Sequence, residues 1–145
     1  MTDPTFAALE EALTAELRAT QVIAALADRE RSALQDDDLA ALADVIREKE
    51  EQLADLAALE NARDEAASAW AAEHNLASDH ISFDEILRHM DRQTARELST
   101  LRDGIKAHLE YARSLNMGNR ALLQAALDRH ETLRDFLLGL ASDDA

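Results

Sequence analysis

No glycine occurs before position 104 and the only proline stands at position 4. Nothing between them breaks a helix, since glycine costs ~1 kcal/mol and proline ~3 kcal/mol against alanine in a helix interior. The residues that fill this stretch, chiefly Ala, Leu, Glu and Arg, favour helix. Aromatic residues make up 3% of the chain and β-branched residues are sparse, so a sheet has little to be built from. The chain of 145 residues is long enough to bury a hydrophobic core as one domain. The fold class expected is all-α: an elongated antiparallel bundle or coiled coil, with two long helices, a short helix and a long C-terminal helix.

Local signals set the expected boundaries. Asp3 can cap a first helix over about 4–34, with Pro4 in its first turn. Apolar positions then recur at Phe6, Leu9, Leu13, Leu17, Thr20, Ala24 and Ala27, widened by Val22, Ile23 and Leu26. The run Asp36–Asp38 suits the start of a second helix over about 38–73 and makes the turn between the two short, hence an antiparallel hairpin. That helix carries the seam Leu39, Leu42, Ile46, Lys49, Leu53, Leu56, Glu60, Arg63, Ala67, Trp70. Its three charged members would be costly to bury unpaired, so the helix is expected to rotate away from the core there. Trp70 is expected to plug the core. Residues 73–82 read as a loop, and Ser82 with Glu85 forms a capping box for a short helix over about 83–90.

The last helix is expected over 92–139, with a frayed tail at 141–145. Its seam, Leu98, Leu101, Ile105, His108, Ala112, Leu115, Asn119, Leu122, Ala126, His130, Leu133, Leu137 and Leu140, alternates spacings of three and four, as coiled-coil packing requires.

The formal net charge of −15 argues against nucleic acid, whose phosphates demand Lys and Arg, and against anionic membrane surfaces. No apolar run is long enough to span a bilayer. The N-terminus has no basic-then-apolar signal pattern and cysteine is absent, so a cytoplasmic location is expected. Glycine-rich phosphate loops, nucleophile elbows and Glu-x-x-His metal pairs are all missing. The five histidines read as surface or boundary residues, so no enzyme activity, cofactor or metal is expected.

One stretch does not suit a helix. Residues 114–127, SLNMGNRALLQAAL, hold a single formal charge, Arg120, and place Asn116, Gly118 and Asn119 together. Two accounts fit. A buried asparagine on the seam fixes register while glycine admits a close neighbour. Alternatively, a wide apolar face, implied by the adjacent pairs Leu122–Leu123 and Phe136–Leu137, serves a partner as well as the bundle.

Two blocks resemble the FlgN-type flagellar export chaperones. Lys49, Leu53, Leu56, Leu59 and Arg63 are similar to that family's Lys-x-x-x-Leu-x-x-Leu-x-x-Leu-x-x-x-Arg run. Asn116, Asn119, Leu122 and Leu123 resemble its Asn-x-x-Asn-x-x-Leu-Leu segment, and SFDEIL at 82–87 lies where the family carries a short helix. The resemblance implies a cytoplasmic chaperone that offers the last helix to the C-terminal segments of hook–filament junction proteins and keeps them export-competent. The partner-binding residues it implies are Asn116, Asn119, Leu122, Leu123 and Leu127, extended along the same face by Leu115, Leu133, Phe136 and Leu137. The export apparatus is a further partner the resemblance suggests. Some family members carry a tail tyrosine for that contact, whereas the single tyrosine here, Tyr111, lies mid-helix. The alternative is a structural coiled-coil module that forms homo-oligomers through the same seam without a dedicated client.

Overall fold

The computed structural model describes residues 3–76, 81–129 and 135–140. Its helices are α1 (Pro4–Gln35), α2 (Leu39–Glu73), α3 (Phe83–Arg88) and α4 (Arg92–Arg129), with a further helical stretch, α5, described over residues 135–140. No strand occurs among the described residues. Leu133, His130 and the tail 141–145 lie outside them, as do residues 77–80 of the expected loop.

Side-chain caps account for the helix starts. The Thr5 amide donates to Asp3 Oδ1 at 3.0 Å and the Ala41 amide to Asp38 Oδ1 at 3.1 Å. The Glu85 amide donates to Ser82 Oγ at 3.2 Å and the Thr94 amide to Asp91 Oδ1 at 2.9 Å. Each cap satisfies an amide that has no partner within its helix. The ends of α1 and α2 are less legible. Asp37 and Asn75 take the left-handed conformation, with φ of 52° and 58°. Just beyond them, the Asp38 amide reaches back to Ala33 O at 3.0 Å and the Leu76 amide to Ala71 O at 2.9 Å. These are Schellman closures made without glycine.

Two packing units share the long helices. The first comprises Met1–Gln21 and Ala54–Ala107. Its core holds Leu9, Leu13, Leu56, Trp70, Ile86, Leu98 and Ile105. Trp70 is 3% exposed and stacks on His74, ring centroids 4.1 Å apart. Glu16 is 1% exposed and accepts from Arg63 Nη1 at 2.7 Å. Burial pushes its carboxyl above the ordinary carboxylate value, against the pull of Arg63. Asp84 receives Arg102 Nη1 at 2.6 Å, which fastens α3 to α4 and holds the Asp84 carboxyl below its usual value.

The second unit comprises Val22–Leu53 and His108–Ala145. Its core holds Ile23, Leu26, Ala27, Leu34, Leu42, Val45, Ala112, Leu115 and Ala126.

One expectation needs correction. The charged seam members of α2 do not all turn away from the core. Lys49 and Arg63 keep their places, with side chains 18% and 30% exposed, because each meets a carboxylate of α1: Glu30 for Lys49 and Glu16 for Arg63. Pairing removes the penalty that would have forced rotation. Leu53, expected in the seam, is the residue left 47% exposed.

Of the last helix expected over 92–139, α4 to Arg129 and residues 135–140 are described as helical, residues 130–134 lie outside the described residues, and Leu137 packs on the apolar cluster to which Ala126 belongs.

Candidate functional site

The unusual stretch of α4 sits in the second unit. Asn119 is 2% exposed. Its Nδ2 donates to the Ala27 carbonyl at 3.0 Å and to Glu30 Oε1 at 2.9 Å, and its Oδ1 accepts from Arg31 Nε at 3.0 Å. Both donors and one acceptor position of the amide are thereby filled from α1. One turn earlier, Asn116 Oδ1 accepts from Lys49 Nζ at 2.7 Å. The same Nζ lies 3.4 Å from both oxygens of Glu30. Asn116, Lys49, Glu30, Asn119 and Arg31 therefore form one connected network over α1, α2 and α4. Such a network fixes register, because sliding any helix by one turn leaves several partly buried polar groups without partners.

Gly118 belongs to this arrangement. A Cβ placed there would collide with the Arg31 guanidinium. The glycine is thus the clearance through which Arg31 crosses α4 to reach Asn119. On the outer side, Tyr111 donates to Asp28 Oδ1 at 2.8 Å, and this bond raises the phenol above its ordinary pKa.

Beyond the network the unit ends in an apolar cluster of Ala33, Leu34, Leu42 and Ala126. Leu39, Ala41, Ile46, Leu122, Leu123 and Leu137 pack on it. Of the partner-binding residues named from sequence, Leu122, Leu123 and Leu137 are brought together here. Leu127 is half-buried and Leu115 is buried in the seam. Phe136 is 38% exposed on α5. Asn116 and Asn119 are committed to partners within their own chain.

Sequence reasoning left out Arg31, Glu30 and Met117. Met117 is 70% exposed beside the network. A glycine next to a seam asparagine was the available signal for a large neighbour, but its identity lay some 90 residues away in the chain.

The arrangement can hold helices in register and present apolar surface. No group of three or more His, Asp or Glu is placed to hold a metal among the described residues, and no helix there is long and apolar enough to cross a membrane. The sequence model of the FlgN protein family matches residues 1–144. The chain belongs to the FlgN family. No curated protein and no solved structure matches it. FlgN proteins are flagellar export chaperones, a helical family without enzymatic chemistry. Both sequence blocks that resembled FlgN lie within the match, which runs through every described helix.

Proposed function

We propose that this FlgN protein acts in the cytoplasm, binds the C-terminal segments of hook–filament junction proteins and keeps them competent for type III export. The family match over residues 1–144 carries the reading. The docking face we assign is the apolar end of the second unit, with Leu122, Leu123 and Leu127 at its centre and Phe136 and Leu137 beside them; Leu133, which the sequence also offered, lies outside the described residues. Leu115, Asn116 and Asn119 lie beneath it. In this reading the asparagine network supports the face from below and holds α4 against α1 and α2. A helical client segment would add its apolar stripe to that of α4, the helix-in-groove mode.

The test is isothermal titration of the full chain with C-terminal peptides of the junction proteins from the same organism. One-to-one binding at micromolar affinity or tighter is expected. Leu123→Ala, with helicity intact by circular dichroism, should weaken it at least tenfold. An absence of binding to either peptide, together with a stable oligomer in solution, would replace this reading with that of a coiled-coil assembly module.

A further inference from the structure

The weakly charged stretch of α4 has an outward side as well as an inward one. Residues 111–127 hold no acid, in a chain with 30 Asp and Glu, and their only charges are Arg113 and Arg120. Leu115, Asn119 and Ala126 are buried. Ser114, Met117, Ala121 and Gln124 are exposed, Met117 at 70%. Their spacings of three, four and three are those of a helix seam, and at about 100° per residue they make one stripe. Arg113 and Arg120, seven apart and both exposed, run along one flank of it. Neither joins an ion pair among the described residues. Tyr111 closes the other flank, with its hydroxyl on Asp28. All of these residues belong to the second unit.

A solvated helix face ordinarily carries charged residues. This one carries an uncharged seam and two free cations, and Met and Arg are the residue types enriched where proteins meet. The charge selects the occupant. Two copies of the chain pairing through this stripe would set the two arginines against the same two arginines, with no acid from 111–127 to answer them, and opposed like charges are costly. Nucleic acid would meet a chain of net charge −15. A helix with acids on one flank meets neither objection. We propose that Ser114, Met117, Ala121 and Gln124 form a second docking surface, which takes an α-helix of another protein bearing Asp or Glu seven residues apart beside an uncharged seam. The small side chains at 114 and 121 admit a close backbone, Met117 adapts between them, and the arginines fix register through carboxylates. The acidic remainder of the chain repels the same helix elsewhere, which adds specificity. The surface uses none of the side chains assigned to the client face.

The chain has no cysteine, so one introduced thiol is labelled uniquely. Full-length Ser114→Cys and, separately, Gln124→Cys carry a thiol-linked benzophenone into an extract of the same organism. Irradiation and peptide mass spectrometry should join both positions to one segment of another protein, with helical periodicity and acids seven apart. A synthetic peptide of that segment should bind the unlabelled protein one-to-one. Arg113→Glu with Arg120→Glu should weaken it about tenfold or more, with helicity intact by circular dichroism, and Arg113→Gln with Arg120→Gln, the milder pair, should fall between. The junction-protein peptides should bind both double variants as they bind the wild type. Absence of a cross-link, a cross-link to a second copy, a segment without spaced acids, or an affinity that survives the charge reversal overturns the proposal. So does a cross-link to the junction-protein segment, which would make the stripe part of the client face. The client reading is judged by its own titration and stands or falls separately.

Discussion

Gly118 and Arg31 are a matched pair. The missing side chain at position 118 leaves the space that the guanidinium of Arg31 fills, and from there Arg31 Nε reaches Asn119 Oδ1 at 3.0 Å. A residue that costs helix propensity in α4 is retained because it lets α1 send a charged side chain across the interface. The pair predicts a sign reversal. Gly118→Ala alone should fail to give the ~1 kcal/mol that alanine gains over glycine in a helix, because Arg31 must withdraw from Asn119. In an Arg31→Ala background the same substitution should recover that gain. Urea denaturation of the four proteins in this cycle checks it, and equal effects of Gly118→Ala in both backgrounds would remove the pairing.

Asn119→Ala should destabilise the fold by about 2 kcal/mol or more, since it leaves partly buried Glu30 and Arg31 without a bond each and opens a small void. Thermal or chemical unfolding reads the loss. Peptide titration of the same variant separates support from recognition. If the amide acts only within its own chain, the affinity of the molecules still folded should stay unchanged.

Glu16 sets a pH dependence of its own. Its folded-state pKa is raised above the unfolded value of about 4.5 by burial. The stability associated with its protonated form is therefore fully present below pH 4.5 and is lost as pH rises through the higher folded value. Asp84 and Asp91 have the opposite sign. Their folded pKa values lie below the unfolded 3.8, so the stability they contribute is present above that value and is lost as pH falls through the folded values. Glu16→Gln should accordingly gain on the wild type as pH is raised above 4.5. The comparison is a series of denaturation midpoints for both proteins from pH 4 to pH 8. A stability difference that does not vary with pH would show that Glu16 titrates at its ordinary value.

Arg29 and Glu48 lie 2.7 Å apart, but their side chains are 52% and 49% exposed. Solvent-exposed pairs contribute about 0.2–1 kcal/mol. Arg29→Ala should therefore change stability by less than about 1 kcal/mol. Trp70→Ala, which empties a site 3% exposed, should cost about 3–5 kcal/mol. Measured side by side, the two variants test whether the molecule is held chiefly by its apolar core or by its many surface charges.

Much of the helical layout was legible before any coordinates. Pro4, the caps at Asp3, Asp38 and Ser82, and the three-and-four spacing of leucines are local signals, each acting within one or two turns. The FlgN blocks at 45–66 and 116–137 were equally readable, because they are contiguous in the chain. The ends of α1 and α2 were harder, since Asp37 and Asn75 take a conformation usually marked by glycine.

The sequence by itself thus determined that the chain is helical, where most helices begin, and to which family it belongs, since each depends on residues close together along the chain. Only the tertiary structure decided which charges enter the seam and what the asparagines bind. Lys49 meets Glu30 and Asn116, Arg63 meets Glu16, and Asn119 meets Ala27, Glu30 and Arg31. Periodicity marks a charged seam position as unfavourable, and only a partner brought there from another helix reverses that judgement. The contact of Leu137 with its cluster has the same origin, since its partners Ala33, Leu34 and Leu42 come from helices about 100 residues earlier in the chain.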